Sequence, residues 1–239
     1  MKRLIAVAAL SLVCADALAS GFDINALKQL SQGEFQQLAQ DLGAALSYKP
    51  LAPADTLGPL GFDVGGALSA TTLANTATLQ KAISNSSVYS TLPVPSLRLI
   101  KGLPFNVDVG FEYARVPSSS INLYGGELKW AILPGDIALP TIALRAAVTR
   151  INGVSQLGFE TVSADASISK GFLFATPYAG IGEVRSRSAA DGLQLKQVNL
   201  TQNKVFAGLQ LNLGLPNLVV EADSTGGIRT YSAKLGLRF

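Results

Sequence analysis

Two pairs of carboxylates are the first candidates for chemistry. Asp108 and Glu112 share one parity of an alternating stretch, as do Glu221 and Asp223. Paired carboxylates whose surroundings split their pKa values can do acid–base work. The chain holds no histidine, the side chain best suited to exchanging protons near neutral pH. Hydrolases, acyl transferases and deacylases built on a histidine dyad or triad are therefore excluded. Metal sites made from His or Cys lack their ligands, because the one cysteine, Cys14, lies near the N-terminus. There is no P-loop, and Gly180-Ile181-Gly182 lacks the rest of a dinucleotide fingerprint. No cofactor and no metal are expected.

The carboxylates do not stand alone. Glu127, Lys129, Arg145, Asp165, Glu183, Arg185, Lys204, Lys234 and Arg238 are read onto the same face as Asp108 and Glu112. An isolated buried charge is expensive, so such a mixed face must pair within itself. An ion-pair network is the leading reading, a path for a small solute the second, and catalysis by carboxylates alone the last.

Hydrophobic residues make up 48% of the 239 and charged residues 15%, with mean hydropathy +0.32. A soluble domain carries about 25% charge. Beyond the N-terminus no apolar run approaches the roughly 20 residues a spanning helix needs. The start has a secretory pattern: Lys2 and Arg3, an apolar stretch from Leu4 to Val13, and Ala17-Leu18-Ala19 before Ser20. A cleaved signal peptide over 1–19 is expected, and Ser11-Leu12-Val13 ahead of Cys14 does not make a lipobox. The net charge of +3 comes with no basic cluster, so no nucleic-acid partner is expected.

Residues 23–47 carry an apolar stripe at helical spacing: Ile24, Leu27 and Leu30, then Phe35, Leu38, Leu42 and Leu46. Ser31-Gln32-Gly33-Glu34 fits a capping box that starts the main helix near 32. Pro50, Pro53 and Pro59 then make a linker.

From Phe62 the period is two to the end of the chain. Phe105-Asn106-Val107-Asp108-Val109-Gly110-Phe111-Glu112-Tyr113 is the clearest stretch. Others lie around 124–132, 142–149, 161–169, 204–212 and 231–239, with Phe206 an apolar exception on a polar face. Weaker segments at 62–73, 94–101, 176–187 and 217–224 bring the expectation to about ten strands, within a range of 8–12. Compact connections at 101–104, 134–136, 170–171 and 214–217 alternate with those at 74–93, 116–120, 151–156, 188–195 and 225–227. That alternation suits a barrel with short turns on one side.

Period alone does not say which face meets solvent. The polar face is rich in Gly, Ala and Ser, as a narrow interior requires. The segments run about 9–13 residues, the length of tilted membrane-crossing strands. Phe105, Tyr113, Tyr124, Trp130, Tyr178, Tyr231 and Phe239 fall near segment ends, where interfacial girdles lie. Apolar side chains are therefore placed against lipid, and closure follows, since an open edge in hydrocarbon leaves backbone groups unpaired.

Tyr231, Leu235, Leu237 and Phe239 end the chain in alternation. This strand resembles the terminal strand of bacterial outer-membrane β-barrel proteins, and the resemblance implies a signal read by the barrel-insertion machinery. The stretches Ser167 to Phe172 and Thr176 to Gly182 are similar to small uncharacterised proteobacterial barrels. The expected fold is all-β, an antiparallel transmembrane β-barrel over 61–239, preceded by an amphipathic helix and Pro-rich linker over 20–60. The expected partners are outer-membrane lipid, the insertion machinery, and an unidentified small solute or surface ligand. The expected role is non-enzymatic, structural or a narrow solute passage. The alternatives are surface binding or adhesion through loops 74–93 and 188–195, and a carboxylate-dependent enzyme. The helix has two open placements, a plug in the lumen or a periplasmic helix at the barrel mouth. An apolar stripe set against a charged interior favours the second.

Overall fold

The computed structural model describes residues 24–83, 90–117 and 119–239. The signal peptide expected over 1–19 lies outside these residues, as does the middle of the 74–93 loop.

The alternating region forms ten strands, β1 (Phe62–Thr72), β2 (Thr91–Leu103), β3 (Val107–Arg115), β4 (Asn122–Leu133), β5 (Thr141–Asn152), β6 (Leu157–Ser169), β7 (Ala175–Ala190), β8 (Val198–Asn212), β9 (Pro216–Thr225) and β10 (Ile228–Arg238). They close into an antiparallel barrel in which β1 pairs with β10. The seam runs from Asp63 opposite Arg238 to Thr71 opposite Thr230. Phe239 extends it: its N–H donates to the Phe62 carbonyl at 3.0 Å and its carbonyl accepts from the Phe62 N–H at 2.6 Å. The two rings stack with centroids 5.8 Å apart. No backbone edge is left at the closing strand, which hydrocarbon would penalise.

The end of the barrel that holds Phe62 and Phe239 carries the connections 104–106, 134–140, 170–174 and 213–215. The opposite end carries 73–90, with helix α2 (Thr76–Ala82), together with 116–121, 153–156, 191–197 and the Gly226-Gly227 turn. Both of these glycines have positive φ, +59° and +85°, as a two-residue hairpin that follows the strand twist demands.

The outer wall is apolar in a continuous band. On β5 the outward residues are Ile142, Leu144, Ala146 and Val148, then Arg150; on β8 they are Leu211, Leu209, Ala207 and Val205, then Asn203. Leu97, Phe111, Leu128, Trp130, Val162, Ile181 and Leu237 are each half-exposed or more. A soluble barrel would bury such side chains. Two inward aromatics break the polar interior, each lying over a cross-strand glycine. A Cβ on Gly208 would sit 2.3 Å from the Tyr178 ring, and one on Gly180 would sit 2.3 Å from Phe206. Tyr178 thus faces the lumen and does not belong to an interfacial girdle.

The N-terminal helix, α1 (Gln32–Leu46), starts on the expected capping box. Ser31 Oγ accepts from the Glu34 N–H at 3.3 Å, and a Glu34 carboxylate oxygen accepts from the Ser31 N–H at 2.8 Å. Its placement differs from the favoured expectation. It does not rest outside the barrel mouth; it sits inside the wall, at the end of the barrel opposite Phe62 and Phe239. The reason is that the interior is layered. Leu92, Val94, Ala114, Val116, Ile121, Leu123, Ile151, Leu157, Phe159 and Val198 point inward there and form one apolar cluster with Phe35, Leu38, Leu42 and Leu46. The charged lumen begins only below that layer, so the apolar stripe finds an apolar wall.

Candidate functional site

Every residue from 41 to 54 is buried. This arm descends the lumen, and its partners on the wall mark its depth. Thr149 Oγ1 donates to the Leu46 carbonyl at 2.9 Å, and Lys204 Nζ to the Tyr48 carbonyl at 2.8 Å. Arg98 donates to the carbonyls of Lys49 (2.8 Å) and Pro50 (3.3 Å). The Leu51 N–H donates to Glu221 at 2.9 Å. Lys129 Nζ donates to the Pro53 carbonyl at 3.0 Å and the Asp55 carbonyl at 2.6 Å. Ser169 Oγ reaches the Asp55 carboxylate at 2.6 Å, and the Leu57 N–H donates to Asp108 at 3.0 Å. A proline-rich segment has no regular structure to satisfy its carbonyls, and the wall cations do so instead.

Around this arm the wall charges pair. Lys129 and Asp108 are 3.0 Å apart, Arg145 and Glu127 3.0 Å, Arg145 and Asp165 3.8 Å, and Arg98 and Glu112 3.5 Å. Lys234 meets Asp63 at 2.9 Å, with Arg238 on the same carboxylate at 3.1 Å. One cation comes from the arm itself: Lys49 Nζ lies 3.2 Å from Asp223 and donates to the Ala44 carbonyl at 2.7 Å. Tyr48 stacks under Arg98, whose Cζ is 4.5 Å from the ring centroid, and a Cβ on Gly125 would approach that ring to 3.0 Å.

The structure brings Asp108, Glu112, Glu127, Lys129, Arg145, Asp165, Lys204 and Lys234 into the buried interior, with Arg238 at its lower mouth. Glu183 and Arg185 are not there. They pair with each other at 2.7 Å on the outer wall, with side chains 41% and 73% exposed. Their parity is that of Ile181, which is 67% exposed. The error lies in taking charge as the sign of an inward residue. Above the apolar band the outer wall meets water, and a charge there carries no burial penalty. Arg150, Glu160 and Arg187 follow the same rule on β5, β6 and β7.

Sequence reasoning missed Lys49, Asp63 and Arg98. Arg98 was legible, since Leu97 and Leu99 flank it. Asp63 is followed by Gly65 and Gly66, which blur the alternation, and Lys49 sits in a linker with no period at all. Tyr231, Leu235 and Leu237, which the sequence reading expects in an assembly signal, face outward, and Phe239 closes the seam. Three of the four candidate carboxylates are held in ion pairs, Asp108 with Lys129, Glu112 with Arg98 and Asp223 with Lys49, while Glu221 accepts from the Leu51 N–H and from the Tyr178 hydroxyl at 2.7 Å. Among the described residues no cluster of His, Cys, Asp and Glu is arranged to hold a metal.

No family model matches this chain, and no curated protein matches it. Among solved structures it is similar to the N-terminal β-barrel domain of Pseudomonas aeruginosa OprF, at 12% identity, covering 76% of this chain and 99% of that one, with TM-score 0.36. It is also similar to Neisserial surface protein A, at 12% identity, covering 74% and 95%, with TM-score 0.31. A third is the translocator domain of autotransporter NalP from Neisseria meningitidis, at 9% identity, covering 87% and 94%, with TM-score 0.37.

Proposed function

We propose that the protein is a non-enzymatic β-barrel of the bacterial outer membrane that is closed at rest by its own N-terminal arm, a structural envelope protein and not an open passage. The observation that carries this is the unbroken burial of residues 41–54 along the lumen, locked by Lys49 on Asp223 and by wall cations on the arm's carbonyls. The exposed apolar band supports the lipid environment, and seam closure through Phe239 supports a barrel inserted with its C-terminal strand complete. A barrel of this width holds little beyond its own side chains, and here a peptide fills the remainder. Planar-bilayer recording tests it. The intact protein is expected to be electrically silent, and a variant lacking residues 24–60 to conduct. Steady conductance from the intact protein would overturn the closed reading.

Surface binding is the second reading. It is favoured by one composite face at the loop end, where Gln32 exchanges hydrogen bonds with Lys196 (3.1 and 2.8 Å) and Glu34 pairs with Lys81 of α2. Loss of binding to cells or matrix on trimming 191–197, with the barrel still folded, would support it.

A further inference from the structure

The direction of the arm assigns it a side. Pro59 to Gly61 leave the lumen at the end where the seam holds Phe62 and Phe239: Lys101 Nζ donates to the Pro59 carbonyl at 2.6 Å, and the Gly102 N–H to the Gly61 carbonyl at 3.0 Å. Moving toward the N-terminus, the wall partners climb without reversal. They pass from Asp108 and Ser169 near that end, through Lys129, Glu221, Arg98 and Lys204, to Thr149. The helix then continues to the opposite mouth, where Gln202 Nε2 donates to the Gln40 carbonyl at 3.2 Å and Asp41 accepts from the Asn75 N–H at 2.8 Å. Beyond its cap, the N–H groups of Asn25 and Ala26 donate to the Ala82 carbonyl of α2 at 3.2 and 3.0 Å. The first described residues therefore rest on the loops, at the end of the barrel opposite the seam's two chain ends, Phe62 and Phe239.

We infer that this barrel displays its own N-terminal segment on the cell surface, the arm crossing the membrane plane inside the wall. The inference rests on the outer-membrane reading above and goes beyond it by fixing the side on which the N-terminus lies. A barrel whose two seam ends face the periplasm presents α2, the 191–197 connection and the arm's tip together to the outside. The arm does not cross through lipid: Lys49, Asp41 and the carbonyls of the proline-rich stretch, which have no partners within the arm's own backbone, carry a penalty in hydrocarbon that the wall's partners remove. The displayed face is polar, with Lys28, Gln29, Ser31, Gln32, Gln36 and Gln37 exposed. The barrel is then a carrier as well as a plugged wall.

Cysteine mapping in a Cys14→Ser background tests this in whole cells, with a high-mass poly(ethylene glycol) maleimide that does not enter the periplasm. Gln29→Cys reports the arm, Gln194→Cys the 191–197 loop, and Ala138→Cys the 134–140 turn. All three positions are exposed and lie outside the ion-pair network. Gln29→Cys and Gln194→Cys are expected to shift in mass on intact cells, and Ala138→Cys only after the outer membrane is permeabilised. Labelling of Gln194→Cys with Gln29→Cys protected would overturn surface display and leave the barrel reading standing. Labelling of Ala138→Cys alone on intact cells would reverse the assigned orientation and overturn display. Recovery of all three variants in the soluble fraction would overturn the outer-membrane reading itself.

Discussion

Replacing Lys49 with Met removes the one arm cation that answers Asp223. Both side chains are buried, 3% and 0% exposed, with Nζ and Oδ1 3.2 Å apart. At an effective dielectric constant of about 20 their attraction is about 5 kcal/mol. Removing one partner of such a pair strands the other charge at a cost of about 3–5 kcal/mol. At about 1.4 kcal/mol per tenfold, that weakens folding by roughly a hundred- to several-thousand-fold. Among the described residues the hydrogen bond left to the Asp223 carboxylate is the one from the Thr225 hydroxyl at 3.1 Å, which does not replace a directly paired ammonium group. The double variant Lys49→Met with Asp223→Asn leaves no uncompensated charge, and replacing both members of a buried pair costs far less than stranding one of them. The assay is equilibrium urea unfolding of the refolded barrel in detergent micelles, read by the mobility difference between folded and unfolded forms on unheated gels. The single variant is expected to lose most of the stated free energy, and the double variant to recover most of it. If the single variant matches the intact protein, or if the double is no better than the single, Lys49 is not locking the arm to the wall.

Further outcomes follow from the same geometry. Phe35, 1% exposed within the apolar layer, is expected on change to Ala to cost about 3–5 kcal/mol and to increase protease cutting of residues 24–46, read on detergent-solubilised protein. The Glu34 carboxyl is held down at about 2, against an ordinary 4.5, first by Lys81 and then by the Ser31 backbone N–H and hydroxyl. A depressed carboxyl stabilises above its ordinary value and loses that contribution as pH falls toward 2. The protection factor of the amides at the start of α1, their exchange rate relative to an unfolded chain at the same pH, should therefore stay high at neutral pH and fall as pH drops below 4.5; an unchanged profile in Glu34→Gln would refute the assignment. Gly208→Leu puts a branched side chain where the Tyr178 ring lies, since even a Cβ would stand 2.3 Å from it. A lowered yield of heat-modifiable protein is expected, with recovery in the Tyr178→Ala double variant. Deletion of Phe239 removes two seam hydrogen bonds and a ring stack, and is expected to reduce the folded fraction in the membrane.

The alternation from residue 62 onward marked the strands, because a period of two is a property of the local backbone, and it put their number near ten; which face is apolar and outward came from the small, polar residues of the other face and from segment length. The capping box was equally local: Ser31 and Glu34 are three residues apart and need nothing else. What lay beyond local reach was depth. Whether a charge on an alternating face is buried depends on how far along the strand the lipid band stops, so Glu183 and Arg185 were misplaced while Lys129 and Arg145 were not. Tyr178 and Phe206 face inward because glycines on the neighbouring strand leave room for their rings, a fact of register. The arm is the fullest case. A stretch of prolines, Tyr48 and Lys49 carries no period, and only closure of the wall supplies the Asp223 carboxylate and the Arg98, Lys129 and Lys204 donors that give it a place. Sequence thus specified the strands of the wall and most of its inward and outward faces, while the filling of the lumen waited on partners more than a hundred residues away, such as Asp223 for Lys49 and Thr149 for Leu46.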